Sequence, residues 1–153
     1  MAYVAPSIRT TGDIITASIW NSDIYTNEPA LAQTGFTVII EGGGAVVTTG
    51  AKNPFEVPFT LTLTSVTVTS DVTTTTVIDL WKCTYALYDV STHPVDGDSV
   101  TSASPITIAA AKKSTDTSLS GWTKAWTQGD WVLPNVDSNS AATKLSISFK
   151  GTM

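Results

Sequence analysis

Charge is scarce in this chain, and so are the residues that carry most enzymatic chemistry. Asp, Glu, Lys and Arg make up 14% of its 153 residues, against about 25% in an average domain. Serine and threonine fill the polar positions instead, a common look for secreted β-domains among others. The net charge is −5 and the 8 basic residues are scattered, so the clustered Lys and Arg that phosphate contacts draw on are missing and a nucleic-acid partner is not expected. Lys112-Lys113 is the one adjacent basic pair, read as a solvated turn.

Cysteine and histidine occur once each, as Cys83 and His93. One cysteine excludes a disulfide within the chain and a thiolate zinc site, so stability must come from packing or assembly. No stretch of eighteen apolar residues occurs, and Met1 to Thr11 carries no basic segment followed by an apolar run. Neither membrane insertion nor secretion is therefore expected.

The same scarcity limits catalysis. Cys83 and His93 lie ten residues apart without the surroundings of a thiol-acylating enzyme. Asp96 and Asp98 flank Gly97, too local a pair to straddle a glycosidic bond, and they are explained by a turn. Gly42-Gly43-Gly44 has no following Lys-Ser or Lys-Thr, so it reads as a hairpin turn rather than a phosphate cradle. No catalytic residue, metal site or cofactor is expected.

What is present changes character near Gly35, which divides the chain into a segment 1–34 and a β-domain 35–153. Met1 to Gly12 has no hydrophobic period and reads as an extended arm, reaching up to roughly 40 Å. Thr16 or Ser18 can cap a short helix in which Ile19, Trp20 and Ile24 share one face before Pro29. A helix this short must dock its apolar stripe on something, either a neighbour or its own β-domain.

After Gly35 the period becomes two. Strands are expected at Phe36–Glu41, at Ala45–Thr49 after the glycine turn, and from Glu56 to Thr69. In the last, Val57, Phe59, Leu61 and Leu63 point one way, and the apolar phase then switches to Val66 and Val68. Such a switch predicts a bulge near Ser65, because a slip of one residue exchanges the faces. Asp71 is expected to open a new unit, with Thr73–Thr76 as a hairpin flank or solvent-facing stretch. Further strands are expected at Val77–Trp81, Trp131–Leu133 and Lys144–Phe149. Pro134 places its strand at an edge or an interruption. Residues 82–118 read as loops with one short strand at Pro105–Ala109. The spacing predicts an all-β, jelly-roll-like antiparallel β-sandwich preceded by the arm and helix. Tyr85, Tyr88, Trp122 and Trp126 are candidates for ligand contact, since aromatic faces stack on sugars when exposed and fill cores when buried.

Gly12-Asp13-Ile14-Ile15-Thr16-Ala17-Ser18-Ile19-Trp20-Asn21, followed by Asp23, Asn27 and Leu31, resembles a segment near the amino terminus of many small structural proteins of tailed phages. Ile78-Asp79-Leu80-Trp81-Lys82, Leu119-Ser120-Gly121-Trp122 and Asn135-Val136-Asp137-Ser138 are similar to their β-domains. The resemblance implies a non-enzymatic virion protein made in the host cytoplasm, a capsid decoration or short tail fibre. It would be attached to capsid or tail proteins through Ile14, Ile19, Trp20, Ile24, Tyr25 and Leu31, and assembled with itself, as a trimer. A carbohydrate- or receptor-binding module touching a host surface glycan through the exposed aromatics is the alternative.

Overall fold

The computed structural model describes residues 16–17, 32–88 and 94–153. The expected arm, most of the expected helix and the six residues expected to serve attachment, Ile14, Ile19, Trp20, Ile24, Tyr25 and Leu31, lie outside the described residues, as does His93.

The described chain is all-β and antiparallel throughout. Its strands are β1 (Gln33–Glu41), β2 (Gly50–Ala51), β3 (Phe55–Glu56), β4 (Leu61–Cys83), β5 (Ile106–Asp116), β6 (Ala125–Trp126), β7 (Trp131–Asn139) and β8 (Lys144–Thr152). They join in one sheet of order β1-β8-β4-β7-β2, with β3 on β7 and both β5 and β6 on β4. The sheet curls over its own core, so that β1 and β3 bring side chains together without pairing. Phe36 of β1 and Phe55 of β3 sit edge to face with ring centroids 5.8 Å apart. Phe149 of β8 and Trp126 of β6 close the cluster, their centroids 5.1 Å apart. The enclosed core continues through Leu63, Val68, Ile78, Leu80, Ile108, Val136 and Ile147, all buried.

The organising element is β4, 23 residues long. Its first half pairs with β8, Thr62 opposite Thr152 through Ser70 opposite Leu145. Its second half pairs with β7, Thr76 opposite Asn139 through Cys83 opposite Trp131. The β7–β8 connection runs beside β4 at the handover, Ser140 N–H bonding to the Thr75 carbonyl at 3.0 Å. There the register shifts, both toward β7 and toward β5, as a sheet bending over its own core requires.

Polar side chains hold this corner. Asp71 accepts hydrogen bonds from the backbone N–H groups of Thr143 and Lys144, both at 3.1 Å, and from the Thr143 hydroxyl at 2.6 Å. The Thr74 and Thr76 hydroxyls donate to Asn139 Oδ1, whose amide nitrogen donates to the carbonyls of Val47 and Ala142. Asp71 therefore does not open a new strand. Thr74 and Thr76 are buried rather than facing solvent.

The Thr143 hydroxyl and the two N–H groups hold the Asp71 carboxyl down at a pKa of about 2, from an ordinary 3.8. A depressed folded-state pKa stabilises the fold above the unfolded pKa, and that contribution disappears as pH falls through the folded one. Stability against urea is accordingly expected to fall between about pH 4 and pH 2, and the Asp71→Asn variant to lose less stability across that window than the native chain. Equal slopes for the two proteins would show that the corner carboxylate does not report on folding.

The bulge predicted from the apolar phase switch is present, as a register shift between Leu63 and Ser65. Gly151 stands opposite Leu63, where a Cβ would lie 2.5 Å from the Thr62 carbonyl oxygen. Close approach at the bulge thus demands glycine. Pro134 lies within β7 beside a broken neighbour. Its carbonyl accepts from Lys52 N–H at 2.8 Å in the gap between β2 and β3. In an antiparallel strand a residue's N and C=O point to the same side, so its missing donor also faces that gap and not β4.

Three expectations are corrected. Gly43 and Gly44 do adopt positive φ, but no hairpin follows, because Val47 N–H bonds to the Ala142 carbonyl and Gly42 N–H to that of Thr143. Residues 45–49 thus follow the β7–β8 turn instead of returning along β1. The short strand at 105–109 extends as β5 to Asp116. Lys112 and Lys113 accordingly lie in that strand, not in a turn. It is a sheet edge, and exposed lysines there discourage pairing with other chains.

Candidate functional site

The β4 strand ends at Cys83, and Thr84 starts a single helical turn, Tyr85–Tyr88. The Thr84 carbonyl accepts the N–H groups of Leu87 and Tyr88 at 3.0 and 3.1 Å. The turn throws Tyr85 outward, 71% exposed, with Leu87 beside it at 46%. Tyr88 folds back and stacks on Trp131, centroids 4.8 Å apart. This group is the chief aromatic surface of the described chain.

Beneath it, Lys82 Nζ meets Asp130 Oδ2 at 2.6 Å, both side chains largely shielded. Asp130 also accepts the Thr127 N–H, which fixes the turn leading into β7. Cys83, the last residue of β4, is buried, and its thiol pKa is raised, first by burial and then by Asp98 and Asp130. A thiol pushed upward stays protonated and is a poor nucleophile. Among the described residues no group of three His, Cys, Asp or Glu side chains could hold a metal ion.

On the other side of β4 the returning loop is fastened by Asp79. Its Oδ1 accepts from Leu80 N–H at 2.7 Å, from the Ser99 hydroxyl at 2.8 Å and from the Thr101 hydroxyl. Its Oδ2 accepts from Trp81 Nε1 at 2.8 Å. Val100 N–H then bonds to the Leu80 carbonyl, and Thr123 N–H to that of Val100. An acid inside the apolar run Ile78-Asp79-Leu80 was the sequence signal for such a bond centre. Asp98 likewise serves its own turn, accepting Val95 N–H at 2.9 Å.

Of the four aromatic candidates, the structure leaves two at the surface. Tyr85 and Tyr88 belong to the helical turn. Trp122 and Trp126 are core residues, 7% and 1% exposed, with their indole N–H groups donating to the carbonyls of Ser104 and Thr123. They are buried because the loop from Val100 to Ser104 and the aromatic cluster close over them, so neither offers a face to a ligand. Two shallow clefts lie among the described residues. One of about 170 Å³ is lined by Ile39, Ile40, Glu41, Ala51, Lys52 and Asn53, and one of about 30 Å³ lies beside Trp122. Both are below the about 300 Å³ at which small-molecule pockets begin.

No protein-family model matches the sequence, and no curated protein is significantly similar to it. Among solved structures, the chain is similar to the serine protease of Aeromonas sobria in complex with a chaperone, at 9% identity and a TM-score of 0.36 over 79% of this chain. It is also similar to the serine protease of Aeromonas sobria, at 9% identity and a TM-score of 0.34 over 78%. The chain spans 27% of the length of each of those chains.

Proposed function

We propose that this chain is a non-enzymatic structural protein of a tailed-phage virion, attached to capsid or tail through the segment 10–31 and displaying its β-domain on the particle surface. The observation that carries the reading is the segment Gly12 to Leu31 with its Ile-Thr-Ala…Trp-Asn pattern. The β-domain is consistent with a bracing role. Its buried polar groups, Asp79, Thr74, Thr76, Thr101 and Asp130, are engaged in holding loops and the sheet corner together. Its exposed surface is supplied largely by threonine and serine.

A second reading, a binding module for a host surface glycan or receptor, is favoured by the exposure of Tyr85 alone. One truncation separates the two. Protein lacking residues 1–31 is expected to be absent from purified particles assembled in its presence, while the full chain is incorporated. Normal incorporation of the truncated protein would overturn the attachment role. Binding of the truncated protein to host cells, without particles, would favour the module.

A further inference from the structure

The two free edges of the sheet are built differently. β5 pairs with β4 alone, and along its outer half it carries Lys112 and Lys113 and a distortion at Ala110, whose φ is 47°. Those are the devices that keep an edge from recruiting another strand. β1 has none of them. It runs for nine residues, QTGFTVIIE, without proline, lysine or bulge. Its single charge, Glu41, is neutralised by Lys144 at 2.7 Å on the neighbouring strand, and Ile39 stands 57% exposed.

The direction of β1's hydrogen bonds follows from its ends. Met153 N–H donates to the Ala32 carbonyl, and Gly42 N–H to that of Thr143. Both pairs continue the register in which Gln33 faces Thr152. Even-numbered residues therefore bond to β8, and the odd ones, Gln33, Gly35, Thr37, Ile39 and Glu41, turn their N–H and C=O groups to the open edge. Among the described residues, no strand pairs with that edge.

We propose that this edge is an interface for a second copy of the chain, the two β1 strands pairing antiparallel about a two-fold axis at Thr37. The sequence suits that register. Thr37 meets Thr37 of the second copy, Ile39 covers the bare Gly35, and Glu41 lies opposite Gln33. Every odd residue exchanges both backbone bonds, and the two Glu41 carboxylates are kept at opposite ends of the ribbon. Threonine pairs and the absence of like charges face to face both favour cross-strand pairing, and a contact that matches itself is the commonest closed interface. At the Glu41 end the edge borders the shallow cleft lined by Ala51, Lys52 and Asn53. This pairing gives a dimer, in place of the trimer implied by resemblance, and does not rest on the virion reading.

The test is the solution mass of the full chain by light scattering across a concentration series. The native protein is expected at twice the chain mass. T37P removes an outward N–H at the centre of the ribbon while sparing every backbone bond to β8, at the loss of the Thr37–Ser148 hydroxyl contact, and is expected at the single-chain mass with an unchanged circular dichroism spectrum. In T37C, mild oxidation is expected to give a disulfide-linked dimer that reducing agent reverses, since Cys83 is buried. A native protein that is monomeric at all concentrations or trimeric would overturn the proposal, as would a T37C protein that fails to cross-link.

Discussion

Replacing Phe149 with alanine is expected to lower the free energy of unfolding by about 3–5 kcal/mol, the range for a fully buried aromatic whose site cannot collapse. Phe149 is completely buried and touches the rings of Phe36, Phe55 and Trp126. Those residues come from β1, which pairs with β8, and from β3 and β6, which pair with neither, so one side chain ties together strands that the hydrogen-bond ladder leaves unpaired. The loss is expected to exceed that of Phe36→Ala, because Phe36 is only partly buried. Urea denaturation of both variants, with the slope unchanged, provides the measurement. A loss below about 1 kcal/mol at Phe149 would mean that the curled sheet closes by backbone bonds rather than by this cluster.

Asp79→Ala is expected to be nearly as damaging, by about 3 kcal/mol, since it strands donors that have lost contact with water. Four groups would be left without their acceptor: Leu80 N–H, the Trp81 indole, and the hydroxyls of Ser99 and Thr101. Asp79→Asn separates the contributions. The amide oxygen can still accept on the Oδ1 side, but its NH₂ group faces the Trp81 indole N–H, donor against donor. The asparagine variant is therefore expected to lose roughly half as much, with its damage confined to the Trp81 indole, readable by exchange of that indole N–H, while amide exchange at Val100 stays as slow as in the native chain. Equal losses for Ala and Asn would place the whole contribution in the single contact to Trp81.

These two residues also mark how far the sequence could be read. Phe149 was legible because Leu145, Ile147 and Phe149 alternate, and alternation is what a half-buried strand requires. The bulge at Ser65 was legible for the same reason, as a break in phase. What escaped was structure made by polar residues. The outer half of β5, Lys112 to Asp116, has no apolar period because it is an edge with little to bury, so nothing in its pattern marks it as a strand.

Thr74 and Thr76 failed in the opposite sense. They look solvent-facing, but Asn139 satisfies their hydroxyls and lets them be buried, and that partner lies 65 residues from Thr74 along the chain. The three glycines correctly announced positive φ but not the direction of the chain after it, which the distant β7–β8 turn decides. Within the candidate site, Tyr85 and Tyr88 were identifiable from residue type, whereas the burial of Trp122 and Trp126 depends on a loop that closes over them. The segment proposed for attachment was legible only as a sequence pattern, Gly12 to Leu31.

The pairing of β1 with β8 has a consequence for how the protein is made. Thr37 and Ser148, whose hydroxyls meet at 2.8 Å, are 111 residues apart, and contacts of such long span make folding slow. During synthesis β1 leaves the ribosome long before its partner exists. Until β8 is translated, Phe36-Thr37-Val38-Ile39-Ile40 is an apolar strand with both edges open, the kind of segment that associates with whatever strand is nearest. On a polysome that nearest strand is the β1 of an adjacent nascent chain, so closer spacing of ribosomes on the message is expected to lower the yield of soluble protein.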